Sequence, residues 1–300
     1  MSFTSSHEQQ ESSSRPKVTI QSIQEKKGKQ RITCLTAYDY PSARLVDEAG
    51  IDMILVGDSL SMVVLGQENT LAITVDEMLH HTRAVRRAVH SGLVIADMPY
   101  GSYQLGAEEA LHNAARFIKE SGAEAVKIEG GEKRVGLISR LRDAEIPVMG
   151  HIGLTPQSLL LMGGYKVQGK NLADVEQLMR DALALERAGV FCIVLEGIPR
   201  EVAAMITAEV RVPTIGIGAG PECDGQVLVL HDILNLTFAP QAKFVRHYAD
   251  VAATIRRALE SYKADVEARA FPSDGESYHL PAETRLALES ICERKRALRK

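Results

Sequence analysis

The chain contains 300 residues, of which 45% are hydrophobic and 25% are charged, as in an ordinary soluble globular protein. Its formal net charge of −4 gives no excess of positive charge for nucleic acid or an anionic membrane, and no run of about 18 apolar residues predicts a transmembrane helix. The four cysteines are scattered without CxxC spacing, so we expect reduced thiols and a cytoplasmic location.

The two ends of the sequence differ from its middle. Residues 1–15 are polar and rich in serine, lack the apolar core of a secretory signal, and are predicted to be a disordered tail. Residues 281–300 are basic and are predicted to be a solvated, helical tail. Between them, residues 16–280 are predicted to form a single catalytic domain.

Eight short runs of β-branched and aliphatic residues are predicted to be buried parallel strands. They lie at residues 31–36, 53–57, 93–96, 125–128, 148–151, 192–195, 214–217 and 227–230. Helical patterns separate most of them, at residues 40–49, 75–89, 107–121, 131–143, 172–188 and 200–209. Gly50, Gly122 and Gly189 each follow such a helix, where a glycine commonly ends the helix in a left-handed conformation.

The alternation of strands and helices favours one α/β architecture over another. Eight β/α steps over roughly 220 residues fit a (β/α)8 TIM barrel better than an open doubly wound sheet. The dinucleotide fingerprint GxGxxG is absent, and the glycines of residues 216–220 lack its spacing. We therefore predict a barrel with a closing helix at residues 249–268, and a long loop at residues 153–171 that is functional or part of an interface.

Acidic residues follow several of the predicted strands. Ligands bind at the C-terminal ends of barrel strands, so Asp58, Asp97 and Glu129 are expected to converge from the second, third and fourth strands. Carboxylate oxygens suit a hard cation such as Mg²⁺, which typically takes one or two carboxylates with water and substrate, and Mn²⁺ accepts the same ligands. The lack of a neighbouring His or Cys pair argues against zinc.

Ser59 and Lys127 accompany these acids and suit an anionic substrate. Ser59 follows Asp58, where its hydroxyl and N–H are expected either to bind a substrate carboxylate or to cap the next helix. Lys127 shares a strand face with Glu129 and, if buried, needs a counter-charge that an anionic substrate would supply. A Schiff-base lysine is the alternative, but nearby acids favour the protonated amine and therefore an ion pair.

Two further residues end strands on the same predicted mouth. Glu196 ends the sixth strand, about opposite the other acids, and in apolar surroundings it would suit the role of general base. His151 ends the fifth strand, either as a structural histidine or as a substrate contact.

Several long motifs resemble those of the ketopantoate hydroxymethyltransferase family. They are TAYDY at residues 36–40, VGDS at 56–59, VKIEGG at 126–131, GHIGLTPQ at 150–157, GGYKVQG at 163–169, LE at 195–196 and IGIGAGPECDGQ at 215–226. Together they extend the resemblance over residues 16–280. Many long motifs in one order make this resemblance far more specific than any single short pattern.

The resemblance implies both a fold and a reaction. The fold is a barrel of the phosphoenolpyruvate/pyruvate type, assembled as a homo-oligomer that is often a decamer. The reaction transfers a hydroxymethyl group from 5,10-methylenetetrahydrofolate to 3-methyl-2-oxobutanoate, giving 2-dehydropantoate for pantothenate synthesis. It proceeds by Mg²⁺-assisted enolisation of the 2-oxo acid and an aldol-type addition.

The resemblance also implies a role for each candidate residue. By position, Asp58 and Asp97 match metal-binding aspartates that also contact substrate, and Glu129 matches a further acidic metal contact. Ser59 and Lys127 match substrate contacts, and Glu196 matches the catalytic base.

Two other functions stay open on the residues alone. A C–C lyase or mutase of the same barrel type would use Mg²⁺ and a 2-oxo acid but no folate. A catalytically inactive barrel that serves as a scaffold is the second alternative, and the intact set of acids argues against it.

Overall fold

The structure is a computed structural model that describes residues 15–297. The tail predicted for residues 1–15 lies outside the described residues except for Arg15, and so do the last three residues of the basic tail.

Eight parallel strands close into a barrel in sequence order, and the first strand pairs with the last. They are β1 (Ile32–Thr36), β2 (Met53–Val56), β3 (Leu93–Asp97), β4 (Ala125–Glu129), β5 (Val148–Gly153), β6 (Cys192–Glu196), β7 (Thr214–Ile217) and β8 (Gly225–Leu228). The predicted (β/α)8 barrel is therefore confirmed.

One helix precedes the first strand, and the others connect the strands or follow the last of them. They are α1 (Ile20–Glu25), α2 (Tyr40–Glu48), α3 (Leu60–Val63), α4 (Val75–Ala88), α5 (Ala107–Arg116), α6 (Val135–Asp143), α7 (Leu159–Met162), α8 (Leu172–Ala188), α9 (Arg200–Glu209), α10 (Leu230–Ile233), α11 (Val251–Glu267) and α12 (Ala282–Ala297). A π-helical turn, Phe117–Ser121, continues α5, so the helix predicted at residues 107–121 changes its geometry near its end. There Ser121 Oγ donates a hydrogen bond to the Phe117 carbonyl.

Alternate residues of each strand face two apolar layers. Met53 and Leu55 of β2 pack in an inner cluster to which all eight strands contribute, whereas Ile54 and Val56 pack in an outer cluster with residues of the helices. All four side chains are buried. This explains why the strand is apolar at every position, since parallel strands in a barrel are covered on both faces.

Residues before β1 cover the N-terminal ends of the strands. Ile23 of α1 is fully buried and belongs to the inner cluster of the barrel. Ion pairs of 2.7–2.8 Å join this segment to acids that directly precede strands: Arg15 and Lys26 to Asp52, Lys17 to Glu124, and Lys27 to Asp224. The functional end of the barrel is therefore the opposite, C-terminal one.

The last strand differs from its prediction at residues 227–230. It begins at Gly225 and ends at Leu228, and Leu230 already starts α10. A side chain at position 225 would collide with the main-chain oxygen of Ile32 on β1, so only glycine permits the close approach that closes the barrel. A glycine normally indicates a turn or a strand boundary, which is why the pattern placed the strand too late.

The described chain separates into two units between Ala249 and Asp250. This division falls inside residues 16–280, which the sequence analysis assigned to one domain. The physical reason is that α11 contains no buried residue, whereas both core clusters consist of residues before Ala249. The second unit contains α11 and α12, and within it the rings of Tyr262 and Phe271 meet edge to face at 5.7 Å.

None of the helices within residues 15–297 is both long enough and apolar enough to cross a membrane.

Candidate active site

The C-terminal ends of the strands surround a cavity of about 250 Å³, here called the active-site cavity. The structure brings all the predicted site residues to its wall: Asp58, Ser59, Asp97, Lys127, Glu129, His151 and Glu196. Strand register explains much of this convergence, because Asp97 pairs with Lys127 across β3 and β4, and Glu129 pairs with His151 across β4 and β5.

Lys127 and Asp97 form a buried ion pair. Lys127 Nζ donates to Asp97 Oδ1 at 2.6 Å, and the two side chains are 6% and 3% exposed. Burial alone would lower the pKa of Lys127, but the carboxylates of Asp97 and Glu129 raise it above its usual value. A Schiff base needs a neutral amine, so the structure favours the ion-pair role. The protein itself supplies the counter-charge that the sequence analysis expected from a substrate.

Gln157 links the other two acids of the cluster. Its Nε2 donates to Asp58 Oδ2 and to the Met98 carbonyl, both at 2.9 Å, and its main-chain N–H donates to Glu129 Oε2 at 3.0 Å. Tyr103 OH donates to Gln157 Oε1 at 2.6 Å, which fixes the orientation of the amide. Sequence reasoning gave Gln157 no role, because it lies in a 3₁₀-helical turn after β5 and not at a strand end.

His151 stands between two carboxylates. Its Nδ1 lies 3.4 Å from Glu129 Oε1 and its Nε2 lies 3.3 Å from Glu196 Oε2, ion-pair contacts that lack hydrogen-bond alignment. Burial alone would lower the pKa of His151, but these carboxylates raise it to about 9. Burial alone would raise the pKa of Glu129, and His151 and Lys127 together lower it. The structure therefore places the charged His151 beside Glu196, which differs from the expectation of purely apolar surroundings.

Negative charge exceeds positive charge in the active-site cavity. Burial, followed by the charges of Asp97 and Glu129, raises the pKa of Asp58 well above its usual value. Five carboxylates, of Asp58, Asp97, Glu129, Glu196 and Asp232, line the cavity together with two cationic side chains, Lys127 and His151. An additional cation is therefore the natural complement of the site.

Ser59 does not cap the helix that follows it. Its side chain makes no capping hydrogen bond to α3, and Ser59 Oγ instead lies 2.8 Å from Tyr38 OH. Burial raises the pKa of Tyr38, so the ring remains a neutral phenol that can donate or accept. Of the two predicted roles, helix cap or substrate contact, the structure is compatible with the second, because Ser59 lines the active-site cavity.

Two loop residues extend the wall of the cavity. Thr70 is buried, and its Oγ1 has no hydrogen-bond partner among residues 15–297. Tyr165 belongs to the long loop predicted to be functional, and its OH lies 3.7 Å from Met62 Sδ. Neither residue follows a strand, so no local pattern indicated it.

The predicted acids can supply some, but not all, of the ligands that a metal ion needs. In the described part of the chain, no three His, Cys, Asp or Glu side chains are grouped closely enough to enclose an ion, so the predicted ligands Asp58, Asp97 and Glu129 form no closed cage. Both oxygens of Asp97 already accept, from Lys127 Nζ and from the Asp58 N–H.

One oxygen of the cluster is nevertheless suited to a cation. Glu129 Oε1 is buried and accepts no aligned hydrogen bond among residues 15–297, although His151 Nδ1 lies 3.4 Å away. Its lone pairs are therefore available to a further cation, which would compensate the buried carboxylate. The donor set therefore fits a hard cation that takes one or two carboxylates and completes its coordination with water and substrate.

The fold and the cavity define a (β/α)8-barrel protein with an acidic site at the C-terminal mouth, where barrel enzymes place their active sites. The profile of the ketopantoate hydroxymethyltransferase family matches residues 17–274. A 3-methyl-2-oxobutanoate hydroxymethyltransferase of Koribacter versatilis is 69% identical over 287 residues, which cover 95% of this chain and 97% of the relative. The enzyme of the same name from Syntrophomonas wolfei is 54% identical over 268 residues, covering 89% and 97%. The chain therefore belongs to the ketopantoate hydroxymethyltransferase family and is a hydroxymethyltransferase.

Solved structures with the same fold belong to more distant proteins. Phosphonopyruvate hydrolase in complex with oxalate and Mg²⁺ matches with a TM-score of 0.55 and 18% identity, covering 93% of this chain and 97% of that one. 2,3-Dimethylmalate lyase, of the PEP mutase/isocitrate lyase superfamily, matches with a TM-score of 0.54 and 18% identity, covering 93% and 96%. At this identity the likeness shows the barrel fold alone.

Proposed function

We propose that this enzyme transfers a hydroxymethyl group from 5,10-methylenetetrahydrofolate to 3-methyl-2-oxobutanoate, forming 2-dehydropantoate for pantothenate biosynthesis. The names of the relatives support the acceptor and the transferred group. The observation that carries the proposal is the active-site cavity, in which the carboxylate of Glu196 faces the same space as the cation of Lys127 and the hydroxyl of Ser59.

Lys127 and Ser59 bind the carboxylate of the 2-oxo acid. An ammonium group has three N–H donors, so Lys127 can donate to the substrate as well as to Asp97. Ser59 Oγ can donate to the substrate while it accepts from Tyr38 OH. These contacts orient C3 of the substrate toward the wall of the cavity that β6 contributes.

Glu196 removes the proton from C3. Its side chain is 16% exposed, so it is accessible from the cavity, and His151 Nε2 lies 3.3 Å from its Oε2 and restricts its orientation. The electron pair left on C3 delocalises into the 2-oxo group and then attacks the one-carbon unit. Both C–N bonds of the methylene group break, and its carbon forms one bond to C3 and one to the oxygen of a water molecule. The two folate nitrogens take up the proton removed from C3 and one proton of the water, so neither oxidant nor reductant is consumed.

Asp58, Asp97 and Glu129 would hold the cofactor Mg²⁺, directly or through water, and Mg²⁺ bound there supplies Lewis acidity that stabilises negative charge on the 2-oxo oxygen. Gln157 keeps Asp58 and Glu129 in position through its hydrogen bonds to both carboxylates.

The test is proton NMR of 3-methyl-2-oxobutanoate in D₂O with enzyme and Mg²⁺, before and after 5,10-methylenetetrahydrofolate is added. We expect deuterium at C3 without folate, and 2-dehydropantoate once folate is present. Glu196→Gln is expected to slow the exchange at C3 by about 100-fold or more, since a positioned base contributes roughly 10²–10⁴-fold.

Glu201→Gln is the matched control, because Glu201 is an exposed glutamate of α9 and should leave exchange unchanged. Normal exchange in Glu196→Gln would rule out Glu196 as the base. Cleavage or rearrangement of a 2-oxo acid without folate would instead support a lyase or mutase.

We also propose that the enzyme acts in the cytoplasm as a homo-oligomer, following the decamers of the family. Leu160 and Leu161 of α7 support assembly, because their side chains are 80% and 85% exposed and apolar. The free state of Cys34, Cys192, Cys223 and Cys292 supports a reducing compartment. Light scattering of the purified protein would test the assembly by its mass.

A further inference from the structure

A second cavity, here called the side cavity, adjoins the active-site cavity. Its volume is about 810 Å³, and the two cavities share Ser59, Met62, Val229 and Asp232 in their walls. Pockets for organic ligands typically measure about 300–1,000 Å³. The side cavity therefore accommodates a ligand much larger than a five-carbon acid, and it opens where that acid would react.

The wall of the side cavity combines apolar surface with a carboxylate. Val63, Leu236 and Val245 contribute apolar side chains. Asp232 of α10 stands at the boundary with the active-site cavity, and Thr237 Oγ1 donates to its Oδ1 at 2.5 Å. This hydrogen bond fixes the plane of the carboxylate relative to the cavity.

We propose that the side cavity binds the pterin ring of the reduced folate and that Asp232 accepts hydrogen bonds from its N3–H and 2-amino group. This inference rests on the proposed function. The pyrimidine edge of a pterin presents two adjacent N–H donors, which match the two oxygens of a carboxylate. The apolar side chains of the wall cover the faces of the ring, and Ser59 at the boundary marks where the one-carbon unit meets the 2-oxo acid.

A cavity between the β4–α6 connection and α8 has no such relation to the reaction. It measures about 500 Å³ and shares no lining residue with the active-site cavity. A one-carbon donor bound there would be separated from the enolate by the wall between the cavities.

Two neighbouring residues of the turn after α3 provide a matched test. Val64 and Leu65 are 42% and 40% exposed, but only Val64 lines the side cavity. Val64→Trp would fill part of the cavity and is expected to weaken binding of tetrahydrofolate and of 6-methyltetrahydropterin by about 10-fold or more. Leu65→Trp is expected to bind both with wild-type affinity. Titration calorimetry measures the affinities.

Asp232→Asn tests the carboxylate itself. Asparagine keeps an oxygen that can accept from Thr237, so the local structure should persist, but it removes one acceptor and the charge. We expect the affinity for tetrahydrofolate to fall and the KM for 5,10-methylenetetrahydrofolate to rise by about 10- to 100-fold, with a smaller change in the KM for the 2-oxo acid. The fall in folate affinity should exceed any fall in C3 exchange.

Wild-type affinity for tetrahydrofolate in both Val64→Trp and Asp232→Asn would overturn the inference and place the folate elsewhere. The proposed function itself would be overturned, together with this inference, if the wild-type enzyme exchanged the C3 proton but neither bound tetrahydrofolate nor formed 2-dehydropantoate with the methylene donor.

Discussion

Gln157 holds two acids of the active-site cavity, Asp58 and Glu129, in position through hydrogen bonds. Its side chain and its main-chain N–H donate to Asp58 and Glu129, and Tyr103 holds its amide in the orientation that allows this. Residues that orient metal-binding carboxylates typically change metal affinity by about 10- to 100-fold when they are removed. Gln157→Leu is therefore expected to weaken Mn²⁺ binding by that factor, measured directly by electron paramagnetic resonance.

The control for this prediction is Gln177→Leu, because Gln177 is exposed on α8. Circular dichroism should show that both variants are folded before binding is compared. If Gln157→Leu binds Mn²⁺ as tightly as the wild type, Gln157 has no part in holding the acids.

Single residues differ in how far the sequence reveals their place in the site. Asp58, Asp97 and Glu129 were predictable because an apolar run followed by a carboxylate is a local pattern that identifies a strand end. Gln157 and Thr70 lie in the connections between strands and helices, Gln157 in a 3₁₀-helical turn, and their positions depend on the path of those connections. Nothing in the neighbouring residues encodes that path, so only the structure finds them.

At the scale of the elements, β8 depends on a glycine that brings two strands together. A Cβ atom at Gly225 would clash with the main-chain oxygen of Ile32 and lie 2.8 Å from Ile215 Cδ1. Gly225→Ala is expected to lower the free energy of unfolding by about 1–3 kcal/mol, because the strands must move apart. Urea unfolding followed by circular dichroism measures this change.

Gly136 offers a control with the same substitution in open space. It is exposed in α6, and a Cβ atom there would meet no atom within 4 Å. Gly136→Ala should be neutral or stabilise the protein by up to about 1 kcal/mol, since alanine favours helix more than glycine does. Equal effects of the two substitutions would show that crowding between β1 and β8 is not what requires the glycine.

The sequence predicted the helices and strands well where the hydrophobic pattern was strong. It misplaced β8, because a glycine that usually marks a strand boundary lies inside this strand. Gly50, Gly122 and Gly189 all adopt the left-handed conformation expected at helix ends, with φ of 81°, 73° and 98°. Gly225 resembled these glycines at element boundaries in the sequence, but in the barrel it belongs to strand β8. The difference lies in a contact with a strand almost two hundred residues away, which a local pattern does not contain.

At the scale of the whole molecule, the residues that stabilise the barrel and those that line its candidate active site lie at opposite ends of the strands. The N-terminal end carries acids paired with lysines and an arginine of the segment before β1, whereas the C-terminal end carries acids in excess. Both sets flank strands, and the sequence analysis noticed only those that follow them. The direction of the strand decides which acids are structural, because only the C-terminal ends face the active-site cavity.

Asp52 is the residue at which this structural role is best tested. Arg15 and Lys26 each approach its Oδ1 at 2.7 Å, and its Oδ2 accepts from the N–H and the hydroxyl of Thr33 at 3.0 and 3.1 Å. Burial alone would raise the pKa of Asp52, but Lys26 and Thr33 lower it below its usual value. The charged form therefore stabilises the folded state at pH values above about 3.9, the usual pKa of an aspartate.

Asp52→Asn is expected to lower the free energy of unfolding by about 1–3 kcal/mol near neutral pH. The difference from the wild type should shrink as the pH falls through the lowered pKa of Asp52, because the wild-type carboxylate is then protonated and loses the same interactions. Urea unfolding of both proteins between about pH 7 and pH 3 measures the difference. Asp143→Asn, at an exposed aspartate beside Arg142, should change stability by less than about 0.5 kcal/mol at every pH. A deficit of Asp52→Asn that stays constant down to the lowest pH would mean that the lost stability comes from packing and not from the charge of Asp52.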